Sequence, residues 1–259
     1  MANDTTTDAS GTGERAGDDG ATLAGLPLHA ADDAHALAGR LARHVAARLA
    51  EAIEARGAAS LAVSGGSTPP PMFDALARET IDWSRVAVTL ADERAVPLDD
   101  PASNEAMVRE RLLAHEAGAA RMVGLYREDG DLARVTGALG AIARPFDVVI
   151  LGMGGDGHTA SLFPDAPELE AAMASSETVL FMRPPSADQL RITLTRAALL
   201  DARELLLHVT GAAKRAVLEG AMDAWRERGD VPATLPIARV LGAAAAREGG
   251  PALGVWWAP

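Results

Sequence analysis

FDVVILGMGGDGHTASLFP, residues 146–164, is the stretch on which the reading of this chain turns. An unbroken apolar run, Val148 to Leu151, stops at Gly152, and four glycines then fall within the six residues 152–157. An apolar run of that length reads as a strand buried on both faces, the mark of a parallel sheet covered by helices. The segment after it has almost no side-chain bulk, and its polar side chains are Asp156 and His158. Such a backbone brings peptide N–H groups and one imidazole close to a small ligand.

Working outward, the same order of buried strand, polar turn and helix recurs. Ser60–Val63 predicts a strand that ends in Ser64-Gly65-Gly66-Ser67-Thr68, before Pro69, Pro70, Pro71 and a helix to about Arg78. Val86–Leu90 predicts another strand, closing on Ala91-Asp92-Glu93-Arg94. Leu37, Leu41, Val45, Leu49 and Ile53 recur every four residues, so 31–56 reads as a helix stopped by Gly57. Further helices are expected over 103–115, 131–143 and 212–226, and further strands over 121–125, 178–182, 191–195, 204–209 and 253–257. Alternation of this kind predicts one α/β domain, a mostly parallel Rossmann-like sheet with helices on both faces. A small antiparallel excursion is expected around 178–210. Residues 1–25 are rich in Thr, Asp, Gly and Ala and read as a disordered acidic tail rather than a signal peptide, leaving 26–259 as the folded domain.

Composition narrows the partners. The net charge is −12, which argues against nucleic acid and against anionic membranes. No apolar run approaches the ~20 residues that span a bilayer. The expectation is a soluble, cytoplasmic protein, a monomer or weak homo-oligomer, acting on a small molecule. With no cysteine there is no disulfide, thiolate nucleophile or thiolate metal site, and no His/Asp spacing argues for a metal. Of 24 basic residues only Lys214 is lysine, which suggests a place where a compact ammonium is needed.

Ligands of such sheets gather outside the carboxyl ends of the strands. Ser64, Gly65, Gly66, Ser67 and Thr68 read as an anion-binding turn, its N–H groups and hydroxyls donating, or else as a tight turn with a helix cap. The turn lacks the lysine and spacing of a P-loop, so a monophosphate fits it better than a nucleotide. Asp92-Glu93-Arg94 reads as a binding or catalytic triplet, or as a solvated turn with an internal salt bridge. The segment 152–157 matches G-x-G-x-x-G formally. A dinucleotide site needs a full helix after the third glycine, and Pro164 arrives first. It also wants an acidic residue after the next strand, where Arg183 stands, although a phosphorylated cofactor would tolerate that. No cofactor is therefore expected.

His158 is the best general base, because an imidazole with a pKa of ~6.5 takes a proton from water near neutrality. Asp156, two residues earlier, is placed to hold its tautomer. The histidines at 29, 35, 44, 115 and 208 read as surface or core. Arg191 opens a strand, and Lys214 sits in the first turn of a helix, where the dipole disfavours it unless an anion holds it.

Taken together, SGGSTP (64–69), LADERAVPLDDPASN (90–104), GMGGDGHTASLFP (152–164), RITLT (191–195) and TGAAKRAVLEG (210–220) resemble the 6-phosphogluconolactonase family, in the wider group that includes glucosamine-6-phosphate deaminase. The resemblance extends over about residues 30–242. The Arg94 after Asp-Glu and the Leu162-Phe163 pair follow the lactonase branch. The acidic tail and the closing Val-Trp-Trp-Ala-Pro depart from the pattern, outside any motif. The resemblance implies a cofactor-free hydrolase of 6-phospho-D-glucono-1,5-lactone in the pentose phosphate pathway. In it Arg191 and Lys214 would join the 64–68 turn in holding phosphate, Arg94 would face the ligand, and His158 would activate water. Donors for the developing oxyanion, Gly154 among them, would come from the 152–157 backbone. Asp92 would belong to site architecture. A deaminase or isomerase, and a non-catalytic sugar-phosphate sensor, are the other readings this sequence allows.

Overall fold

The computed structural model describes residues 20–259. A hairpin of β1 (Thr22–Leu23) and β2 (Leu26–Ala30) leads into α1 (Ala34–Arg56), and β3 (Ala59–Val63) and α2 (Pro70–Leu76) follow. Next come β4 (Val86–Leu90), β5 (Asp92–Arg94), α3 (Asn104–Arg111), β6 (Arg121–Val123), α4 (Leu132–Leu139) and β7 (Phe146–Leu151). The remainder is α5 (Leu169–Ala174), β8 (Val179–Met182), β9 (Arg191–Leu194), α6 (Arg196–Leu200), β10 (Ala202–Thr210), α7 (Ala212–Arg228), α8 (Pro236–Ala246) and β11 (Ala252–Ala258).

Eight strands form the main sheet in the order β1-β2-β11-β10-β7-β3-β4-β6, parallel except for the β1–β2 hairpin. Every residue of β3, β4 and β7 is buried, as their largely apolar sequences require when helices cover both faces; Ser60, Thr89 and Asp147 are the polar exceptions. The chain builds outward from β3 through β4 to β6, then returns to lay β7 on the other side of β3. This is a topological switch point, and it opens a crevice between the carboxyl ends of β3 and β7.

Local signals explain the flanking helices. α1 starts at Asp33, whose side chain accepts from Ala36 N, and stops at Gly57, whose φ of 80° suits glycine. Its apolar stripe of Leu37, Leu41, Val45 and Leu49 is wholly buried. Cutting one such leucine to alanine costs about 2–5 kcal/mol. At the far end of the sheet Asp147, also buried, accepts from Ser60 N at 2.8 Å and from Arg56 at 2.6 Å, pinning β3 to β7.

The structure departs from expectation in places. Residues 20–25, assigned to the tail, include β1 and its turn; the rest of that stretch, 1–19, lies outside the described residues. The antiparallel excursion is a three-stranded sheet of order β5-β9-β8, so it recruits 92–94 and leaves β10 in the main sheet. α5, α6 and α8 were not foreseen. In α8 the residues from Pro236 to Gly242 are all buried, so no apolar stripe of helical period is visible. Instead of a helix, the glycine segment runs into an isolated Thr159–Leu162 bridge, in keeping with rejection of the dinucleotide fingerprint. No described helix is long and apolar enough to cross a membrane.

Candidate active site

The crevice opens into a cavity of about 380 Å³, a size suited to a small molecule. Its walls are the ends of β3, β7 and β10 together with β5 and β9 of the small sheet. The 64–68 turn follows β3. Ser64 N donates to Ile150 O at 3.0 Å, which ties the turn to β7, and its Oγ is sealed with no partner. Gly66 has φ 105°, a conformation that favours glycine. α2, which starts behind the turn, is only seven residues long and carries prolines at 70 and 71, which have no N–H to offer an anion. An anion held here would depend on the turn's own amides and on nearby cations.

Those cations come from the small sheet. Arg94 on β5 pairs in register with Arg191 on β9, so two guanidinium side chains share a wall of the cavity. Like charges facing across strands repel. Burial lowers the Arg191 pKa, and Arg94 lowers it further. Arg94 donates to Ala102 O at 2.6 Å, yet its Nε and that of Arg191 are both buried without a partner. Lys214, in the first turn of α7, faces the same space.

The Asp-Glu-Arg triplet is split by its strand. Asp92 lines the cavity and accepts from Ser161 Oγ at 2.6 Å. Glu93 points the other way, into α3, where it is 0 % exposed. It accepts from the backbone N–H groups of Arg94, Asn104 and Glu105, each at 2.7 Å, and from Ser103 Oγ at 3.2 Å. Burial nevertheless raises its pKa. Glu93 is thus the cap that fastens α3 to the site wall, not a ligand contact.

On β7's side, Asp156 Oδ1 lies 2.6 Å from His158 Nδ1, and the imidazole stacks on Phe163 with centroids 4.1 Å apart. His158 lines the cavity, whereas Asp156 stands behind it, reaching the site only through the ring. The loop is closed by its own hydrogen bonds, Gly154 N to His158 O at 2.9 Å and Gly157 N to Gly154 O at 3.1 Å. The Gly154 and Gly157 amides are therefore engaged, and donors to an oxyanion would have to come from other amides. Gly154 matters through what it lacks, since a Cβ there would overlap the His158 ring and Asp156 Oδ1. Beyond the loop, Ile237 N donates to Gly157 O at 3.1 Å, so α8 braces it.

Ser64, Gly65, Gly66, Ser67, Thr68, Asp92, Arg94, Gly154, His158, Arg191 and Lys214 all line this one cavity. Asn104, Ser186 and His208 are polar lining residues that the sequence reading does not place in the site. Asn104 donates to Asp92 O at 2.9 Å while its Oδ1 is buried and unpartnered. Its signal was its place at the end of the quoted 90–104 block. His208 reads from the sequence as surface or core, and its signal is an imidazole inside the apolar run LLLHV.

Residues 32–247 match the family model described as glucosamine-6-phosphate isomerases/6-phosphogluconolactonase. The chain belongs to this family. Within the glucosamine-6-phosphate isomerase/6-phosphogluconolactonase family, a relative from Rhizobium meliloti called 6-phosphogluconolactonase is 43% identical over 238 residues, covering 90% of this chain and 98% of the relative. Another of that name, from Pseudomonas aeruginosa, is 43% identical over 211 residues, or 79% of this chain and 89% of the relative. The crystal structure of a 6-phosphogluconolactonase from Shewanella baltica superposes with a TM-score of 0.83 at 41% identity, covering 90% of this chain and 98% of that one. The mostly parallel sheet flanked by helices is the architecture this family shares.

Proposed function

We propose that this chain hydrolyses 6-phospho-D-glucono-1,5-lactone to 6-phosphogluconate, with His158 as the general base. The observation that carries the reading is that the Asp156-oriented imidazole and the facing pair Arg94–Arg191 open onto a single cavity. The cationic wall and the 64–68 turn hold the phosphate as a handle, and Lys214 adds its ammonium. That handle fixes the lactone carbonyl near His158, which converts much of the activation entropy into binding.

With Nδ1 turned to Asp156, Nε2 is the basic nitrogen. It takes a proton from water as the oxygen bonds to the carbonyl carbon. The tetrahedral intermediate then expels the ring oxygen, which receives the proton from the imidazolium. The new carboxylic acid ionises, so one proton is released per turnover. A strained ester of this kind asks for a base, a positioned handle and oxyanion donors. Asp92, tied to Ser161, serves site architecture, since ester hydrolysis has no carbon-bound proton to move.

The test is a pH-stat assay on freshly generated lactone, corrected for its uncatalysed decay. Stoichiometric acid release supports the reading. Ammonia release from glucosamine 6-phosphate would favour a deaminase, and binding without either product would favour a sensor.

A further inference from the structure

His208 lies on β10 one position beyond the Leu207–Leu151 pair, where that strand reaches the cavity beside β7. It is 3 % exposed, its ring lines the cavity, and its Nδ1 is buried with no hydrogen-bond partner. An unsatisfied buried polar atom in a core position costs stability, so a strand does not keep an imidazole there without use for it. Six residues on, after the Thr210-Gly211 turn, Lys214 enters the same cavity. The C-terminal strand holds that turn in place, because Gly211 N donates to Ala258 O at 2.8 Å and Trp257 Nε1 donates to Gly211 O at 3.2 Å.

We propose that His208 is a second ligand-binding imidazole of this cavity, which donates an uncharged hydrogen bond from Nε2 to the phosphoryl group held by Lys214. This rests on the phosphate assignment made for Lys214 above. The choice of nitrogen follows from burial. A sealed Nδ1 with no acceptor in reach is less costly as a bare lone pair in the field of an ammonium than as a stranded N–H. The hydrogen then sits on Nε2, the nitrogen left to meet a ligand. Burial first, and Lys214 second, lower the pKa of this imidazole to about 4, so it is neutral at working pH. A neutral donor suits this wall. Arg94, Arg191 and Lys214 already supply charge, and another cation would add repulsion in the empty site, whereas a neutral N–H adds direction without it.

The experiment measures Kd for inorganic phosphate, 6-phosphogluconate and unphosphorylated gluconate in wild type, His208→Leu and His208→Gln. His208→Leu is expected to weaken inorganic phosphate and 6-phosphogluconate by the same factor, about 10- to 100-fold, the loss of one hydrogen bond to a charged acceptor. His208→Gln, which keeps an N–H donor, is expected to recover part of this, and the kinetic loss is expected in KM more than in kcat. Leucine removes the orphaned nitrogen, so folding is expected to hold; glutamine and the His208 ring ¹⁵N shift on phosphate addition give independent readouts. Equal phosphate affinity in wild type and His208→Leu would overturn the proposal, as would a loss confined to 6-phosphogluconate, which would place the contact on the sugar. A wild-type chain that binds phosphate through His208 but releases no acid from the lactone would reject the lactonase reading and leave this contact standing.

Discussion

Nδ1 of His158 meets Oδ1 of Asp156 at 2.6 Å while the face of the same ring lies 4.1 Å from Phe163, centroid to centroid. Two unlike contacts, one polar and one aromatic, hold the imidazole, and with Nδ1 taken by Asp156 the free nitrogen of this cavity-lining ring is Nε2. If that nitrogen is the base, His158→Ala should reduce kcat by about 10²- to 10⁴-fold and leave 6-phosphogluconate binding nearly unchanged. Asp156→Asn should act in the same sense but more weakly, since it changes the tautomer rather than removing the base. Steady-state kinetics with calorimetric binding decides this, and near-normal turnover in His158→Ala rules the base assignment out.

The two guanidiniums and the ammonium should separate from the base kinetically. Arg191→Ala and Lys214→Ala are each expected to weaken 6-phosphogluconate binding by about 1.5–3 kcal/mol, the loss of a hydrogen bond to a charged group. Arg191→Lys should recover only part of it, because an ammonium lacks the planar fork. Affinities indistinguishable from wild type in both alanine variants would remove the phosphate assignment.

Gly154→Ala tests loop geometry without replacing a functional side chain. The added methyl overlaps the His158 ring and the Asp156 carboxylate, so the pair must move apart. Turnover should fall at least 10-fold, since misplacing a reacting group by about 1 Å costs up to 10²-fold. Phosphate affinity should stay close to wild type. A drop in affinity as large as the drop in turnover would mean that the loop also shapes the anion site.

Glu93→Ala addresses stability. It strands the N–H groups of Arg94, Asn104 and Glu105 and the Ser103 hydroxyl in a buried place. Denaturant unfolding should show a loss of roughly 3 kcal/mol or more, because each buried donor left unmade costs about 1–3 kcal/mol. A change below about 1 kcal/mol would mean that water replaces the carboxylate.

Acid sensitivity should trace to His208. The unfolded chain protonates this imidazole near pH 6.5, while the folded chain resists until about pH 4. Below pH 6.5 the unfolded state binds the extra proton, so stability falls with pH across that window, by about 3 kcal/mol when complete. In His208→Gln that component should vanish. Unfolding free energies from pH 7 to 4 should thus shift in the variant's favour as pH drops, with His29 the same in both. Parallel curves would show that His208 titrates normally.

The sequence by itself determined the class of fold and the furniture of the site. Apolar runs at 61–63, 86–88 and 148–151 reported burial on two faces, and therefore a parallel sheet under helices. The turns that end them, with Arg191 and Lys214, already held nearly every residue that now lines the cavity, because backbone freedom and charge are local properties. Long-range pairing was a different matter. Only the β5–β9 register set Arg94 against Arg191 and turned Glu93 away into α3, and only strand order, which lays β10 beside β7, brought His208 to the cavity. α8 stayed hidden because its first two turns, buried on every side from Pro236 to Gly242, carry no periodic mark, yet it braces Gly157. Periodicity records how deeply a segment is buried; which segments end side by side is decided by hydrogen-bonded register and packing between residues far apart in the chain.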